Sequence, residues 1–242
     1  MKPTVSLRSQ IKTTLSQMIP WSGVFGPLII SLGILIAGFA YVGIEGQQYN
    51  LLNHFVSELG ELGVSDLAWV FNGSLIIGGF VNTIFVVYLA IQFKGWIRFP
   101  LAILGLIATI SSSLVGVFPM NYLDQHIFVA LGFFNLGLLV ALLYSIVLLF
   151  GKNHSFPRWL AIPGFLNTAA FFIFNNFPSS FEEGVDFQEG MGGLLSNRPD
   201  FIALALMEWV VILGIIIWFL VLGIYLVYKK KGLLNFNSGK HK

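Results

Sequence analysis

The sequence predicts an all-α, polytopic membrane protein: a bundle of six transmembrane helices, with a short outer amphipathic helix between the first and second. Three observations predict it. Only 10% of residues are charged, 56% are hydrophobic and the mean hydropathy is +0.83, where a soluble domain carries about 25% charged residues. Six apolar runs approach or exceed the ~20 helical residues that a bilayer core requires. The connections between those runs alternate between basic and acidic, as the positive-inside rule demands. No Pro-, Gly- or Ser-rich linker interrupts the pattern, so residues 1–242 read as a single integral membrane domain.

The runs extend over Val24–Val42, Leu67–Phe93, Phe99–Phe118, Ile127–Phe150, Trp159–Phe177 and Phe201–Tyr228. The fifth is the weakest, being short and interrupted by Pro163 and Gly164. Lys2, Arg8 and Lys12 precede the first run, Lys94 and Arg98 follow the second, Lys152 and Arg158 follow the fourth, and five lysines from Lys229 to Lys242 follow the sixth. Of the basic residues only Arg198 falls on the opposite side, whereas every acid lies there or in the adjoining part of the sixth run. This places both termini in the cytoplasm and the chain in the cell membrane. The basic first 23 residues lack a small-residue cleavage site behind a short apolar core, so the first helix reads as retained.

Cysteine is absent, which excludes disulfides, thiolate nucleophiles and Cys-based metal sites. Attention falls on the stretch NHFVSELGELG, Asn53 to Gly63, where polar residues crowd into a chain otherwise emptied of them. Leu51, Leu52, Phe55, Val56 and Leu59 repeat at helical spacing, with His54, Ser57, Glu58 and Glu61 on the opposite face. Asn50 is placed to cap such a helix and Gly60 to end it. The expectation is a helix lying at the outer surface, its polar face turned either toward a site or toward water.

Counting ~20 residues outward from each cytoplasmic basic marker locates the outer boundary of each helix. Asn72 and Glu208 fall at that level, with Asp124 and His126 just above it. Ser111, Ser112, Ser113 and Asn135 lie about two turns deeper. Together these residues outline a polar pocket facing outward. Glu208, beside the belt residue Trp209, reads either as a site residue or as an interfacial acid, and the serines read as well as bonds between helices. The acidic, glycine-rich loop from Asn175 to Asp200 would form a lid on the same side or serve no binding role.

Zinc would need His54 and His126 with Asp124, Glu58 or Glu208, but no HExxH or comparable spacing supports it. Ser57 with His54 or His126 and a carboxylate supplies the residue types of nucleophilic hydrolysis, without a GxSxG motif. The theme Gly-Phe-x-Asn recurs at Gly79, Gly132 and Gly164, and chance suffices to explain it in a chain so rich in Gly and Phe. The basic tail reads as a topology anchor, and nothing supports nucleic-acid binding.

SELG (Ser57 to Gly60), FNGSLIIGG (Phe71 to Gly79) and GVFP (Gly116 to Pro119), followed by His126, Ala130 and Phe134, resemble a prokaryotic membrane family catalogued as domain-of-unknown-function family 998. More distantly, the layout looks like the autophagy-modulator and GPI-anchor-remodelling six-helix membrane proteins. The resemblance covers helices 2 to 4 and implies a six-helix bundle with an outer-face site involving Ser57, Asn72 and His126. Its distant branch implies lipid handling.

The leading expectation is recognition or remodelling of a lipid or other amphiphile, with a headgroup meeting His54, Ser57, Glu58, Asn72, Asp124, His126, Asn135 and Glu208. The first alternative is a hydrolase or transferase with His126 as base or metal ligand and Ser57 or water as nucleophile. The second is a structural or assembly partner with no small-molecule site. Membrane lipids are the expected partners. The sequence names no cofactor, catalytic assignment or oligomeric state.

Overall fold

The computed structural model describes residues 17–43, 46–152, 156–177, 198–230 and 232. Residues 178–197 of the loop expected as a lid (Asn175 to Asp200), the loop His154, the tail His241 and most of the terminal lysines lie outside the described residues. Six helices account for the apolar runs: α1 (Ser22–Phe39), α2 (Ala68–Ile91), α3 (Arg98–Val117), α4 (Leu123–Phe150), α5 (Ala161–Asn175) and α6 (Ala203–Lys230). All but α5 are long and apolar enough to cross a membrane. The expected boundaries hold to within a few residues because apolar length and basic flanks decide them. The chain is a multi-pass membrane protein.

Each helix packs on its neighbour in the chain, and α6 returns against α1, so the six close a ring in chain order. Small residues bring the backbones together, since lipid tails supply no hydrophobic drive between helices. At the α1–α6 seam a Cβ on Gly223 would stand 2.5 Å from the backbone of Gly23, so no larger residue fits there. Outside the ring, large apolar side chains face away from the protein on every helix, with Phe39 90% and Phe128 78% exposed. A soluble protein would not display so continuous an apolar surface.

The Gly-Phe-x-Asn theme acquires a packing meaning in two of its three occurrences. Gly79 on α2 meets Ser113 of α3 while Asn82, one turn on, presses its Oδ1 against Gly26 of α1. Gly164 on α5 meets Ser145 of α4 while Asn167 presses its Oδ1 against Gly214 of α6. The third asparagine, Asn135, faces outward and bonds back to the Leu131 carbonyl at 2.8 Å.

The expected amphipathic helix takes a different form. Asn50 to His54 make a single turn, with Asn50 Oδ1 accepting from the Leu52 N–H at 3.0 Å. Phe55 is extended (φ −69°, ψ 149°) and breaks the run before a five-residue 3-10 helix, Val56–Gly60. The break rotates the two halves against each other. Leu51 and Leu52 are therefore exposed, while His54 and Glu58 are among the most buried polar residues, 2% and 1% exposed.

Candidate functional site

The segment 49–62 forms a cap across one end of the ring, the end to which α1, α3 and α5 run. Its fold follows from four anchors. Glu58, the third residue of the 3-10 helix, reaches back to the Phe55 N–H at 2.8 Å, the return half of a capping box. Asn72 of α2 donates from Nδ2 to the Gly60 carbonyl at 2.8 Å. Asn121 exchanges two bonds with the backbone of Leu62, at 2.8 and 2.9 Å. The stretch before α6 is stitched to the cap by the Ile202 N–H on the Leu52 carbonyl and by Asn53 Nδ2 on the Pro199 carbonyl.

A fifth anchor carries charge. Arg198 Nη2 lies 2.7 Å from Glu58 Oε2 and Nη1 lies 3.1 Å from Oε1, a paired fork. Burial pushes the Glu58 carboxyl up, opposed by the guanidinium and by the Phe55 N–H. Arg198 was no site candidate in the sequence, although it was conspicuous there as the lone basic residue among the acidic connections.

His54 sits behind this pair in an aromatic cage. Tyr41 stands edge-on at 5.4 Å, Tyr49 lies at 5.1 Å, and Trp209 donates to the His54 carbonyl at 3.3 Å. Nδ1 approaches Asn53 Oδ1 at 2.8 Å. Burial, and then the Arg198 charge, push the imidazole down to about 4 from its usual 6.5.

Under the cap, a cavity lies between the helices of the ring. Five helices line it: α1 from Pro27 to Ile34, α2 from Phe71 to Val86, α3 from Gly105 to Val115, α4 from His126 to Val140 and α6 from Glu208 to Phe219. Most of this wall is apolar. At the cap end three polar residues from three elements enter it: Ser57, His126 and Glu208. Asn82, Thr109 and Ser112 contribute polar groups further in.

His126 Nδ1 lies 2.9 Å from the Phe118 carbonyl. A carbonyl only accepts, so Nδ1 carries the proton and Nε2 of the neutral ring is left as an acceptor. Glu208 Oε2 accepts from the Val56 N–H at 2.7 Å, and the carboxyl also accepts from the Ser57 N–H, which places it at the start of the 3-10 helix. Chemically, the cap end of the cavity combines a hydroxyl, a neutral imidazole acceptor and a carboxyl.

Of the eight sequence candidates, then, Ser57, His126 and Glu208 line the cavity. His54, Glu58 and Asn72 are built into the cap that closes it. Asp124 and Asn135 are exposed and belong to neither; the helical count gives depth but not which face turns inward. Among the described residues no three His, Cys, Asp or Glu side chains gather as a metal-binding set.

The motifs quoted for the resemblance converge at this end. Asn72 bonds the Gly60 carbonyl, a Cβ on Gly116 would stand 2.5 Å from the Asn72 carbonyl oxygen, and the Phe118 carbonyl orients His126. Residues 29–225 match the model of the family described as "Protein of unknown function (DUF998)". Neither the curated proteins nor the solved structures contain a match to this chain.

Proposed function

We propose, for a chain that belongs to the DUF998 family of proteins of unknown function, that it binds or remodels an amphiphile whose chain lies in the ring cavity and whose headgroup meets Ser57, His126 and Glu208. One observation carries this reading: a long, mostly apolar cavity ends on three polar side chains contributed by three separate elements. An apolar pocket with a few convergent polar groups is the usual form of a small-molecule site. The basic residues at the other end of the ring favour cytoplasmic termini in the cell membrane. The headgroup would then be drawn from the outer leaflet, and membrane lipids would be the partners of a single membrane domain.

A second reading rests on the His126 tautomer. A neutral imidazole with a free Nε2 is a competent general base, and Ser57 at the same end of the cavity is a candidate nucleophile, so hydrolysis or transfer of an acyl or phosphoryl ester fits the same groups.

Native mass spectrometry for bound lipid and elemental analysis for metal, on wild type beside His126→Ala, test both. A defined lipid held by wild type and lost from the variant supports the binding reading. Ester turnover lost in both Ser57→Ala and His126→Ala, with folding kept, supports the enzymatic one. Bulk membrane lipid alone in both proteins, with neither metal nor turnover, would overturn the proposal.

A further inference from the structure

The cavity is not a plain slot for a hydrocarbon chain. Well below the cap its wall carries Asn82 from α2 and Ser112 from α3. Asn82 is 9% exposed, and its Oδ1 has no hydrogen-bond partner among the described residues. That oxygen rests against Gly26, where a Cβ would stand only 2.1 Å away, so the glycine admits the amide without satisfying it. Thr109, at the same level, is already engaged: it donates to the Gly105 carbonyl at 2.9 Å and accepts from Thr83 at 2.9 Å. A buried amide oxygen left without a partner in a membrane interior is costly.

The helical register sets the spacing of this second polar level. Asn82 lies ten residues along α2 from Asn72, which bonds the cap, or about 15 Å by helical rise. Ser112 lies about half a turn nearer the cap, since Gly79 and Ser113 are in contact across the α2–α3 seam and Ser112 is one residue further from the cap.

We infer that the ligand carries a second hydrogen-bonding group within its chain, about 10 to 15 Å from the headgroup, and that a hydroxyl there is held by Asn82 with Ser112. A hydroxyl both donates and accepts, so it suits an amide presented either way round. The ligand class is therefore a hydroxylated acyl amphiphile. This rests on the amphiphile reading above and narrows it.

The test compares two monoacylglycerols that differ by a single oxygen, 1-stearoylglycerol and 1-(12-hydroxystearoyl)glycerol, titrated into the detergent-purified full chain. One added hydrogen bond to a buried amide predicts about five-fold tighter binding of the hydroxylated chain. Asn82→Leu should abolish that preference while still binding the plain chain, and Ser112→Ala, which alters packing far less, should reduce it. Equal binding of the two probes by wild type, or a preference that survives both substitutions, would overturn the inference and leave the amphiphile reading standing. If neither probe binds wild type, the amphiphile reading fails and this inference fails with it.

Discussion

Arg198 grips Glu58 through both of its terminal nitrogens although 140 residues of chain separate them. The two side chains are 8% and 1% exposed. The pair ties the segment entering α6 to the cap over the cavity, joining the first and last connections at this end of the ring.

Breaking such a pair strands a buried charge, which costs about 3 to 5 kcal/mol, whereas replacing both partners by apolar residues costs far less. Glu58→Gln and Arg198→Met should each lower the unfolding midpoint in detergent, and Glu58→Met with Arg198→Met should recover much of the loss. Strictly additive single effects would show that the two residues do not act as a unit.

His54 makes stability depend on pH with a definite sign. Its folded value, about 4, lies below the 6.5 of an unfolded chain, so between those limits the unfolded state binds more protons. Stability should be intact above pH 6.5, fall by about 3 kcal/mol as the pH drops toward 4, and flatten below that. Glu58 and Glu61 share the neighbourhood, so the comparison that isolates the imidazole is His54→Gln, whose melting curves should lose this component. An unchanged pH profile in that variant would rule out His54 as its source.

Gly60 and Asn72 form a third testable unit. A Cβ on Gly60 would stand 2.2 Å from Asn72 Oδ1, too close for either to remain in place. Gly60→Ala should therefore cost about 1 to 3 kcal/mol, and much less in an Asn72→Ala background, where the obstructing amide is gone. A double-mutant cycle read by thermal unfolding measures the coupling.

The helices were legible in the sequence because apolar length and basic flanks are one-dimensional signals. Val24–Val42 became Ser22–Phe39 and Ile127–Phe150 became Leu123–Phe150. Rotation about each axis was not legible. Asn135 shares α4 with the buried Phe133, Phe134 and Gly137, yet 100° per residue carries it to the outer face. The stretch from Leu51 to Glu61 misled for another reason: its periodicity is that of an unbroken α-helix, and the extended Phe55 interrupts it. Glu58 turned inward as a result, and the only basic residue among the acidic connections supplied its partner.

The brevity of α5 bears on the bilayer itself. α4 ends where α5 begins and α6 starts at the opposite end of the ring, so α5 carries the chain across in 15 residues, about 22 Å of helix. The hydrocarbon core is ~30 Å thick. Lipids beside Leu166, Phe172 and Ile173, which face outward, meet a shorter apolar wall than lipids beside the 28 residues of α4 or α6. A bilayer matched to this flank would thin there, at a cost of fractions of a kcal/mol per Å of mismatch. Around such a protein, a bilayer that thinned beside α5 would favour shorter-chain lipids on that flank than beside α4 or α6.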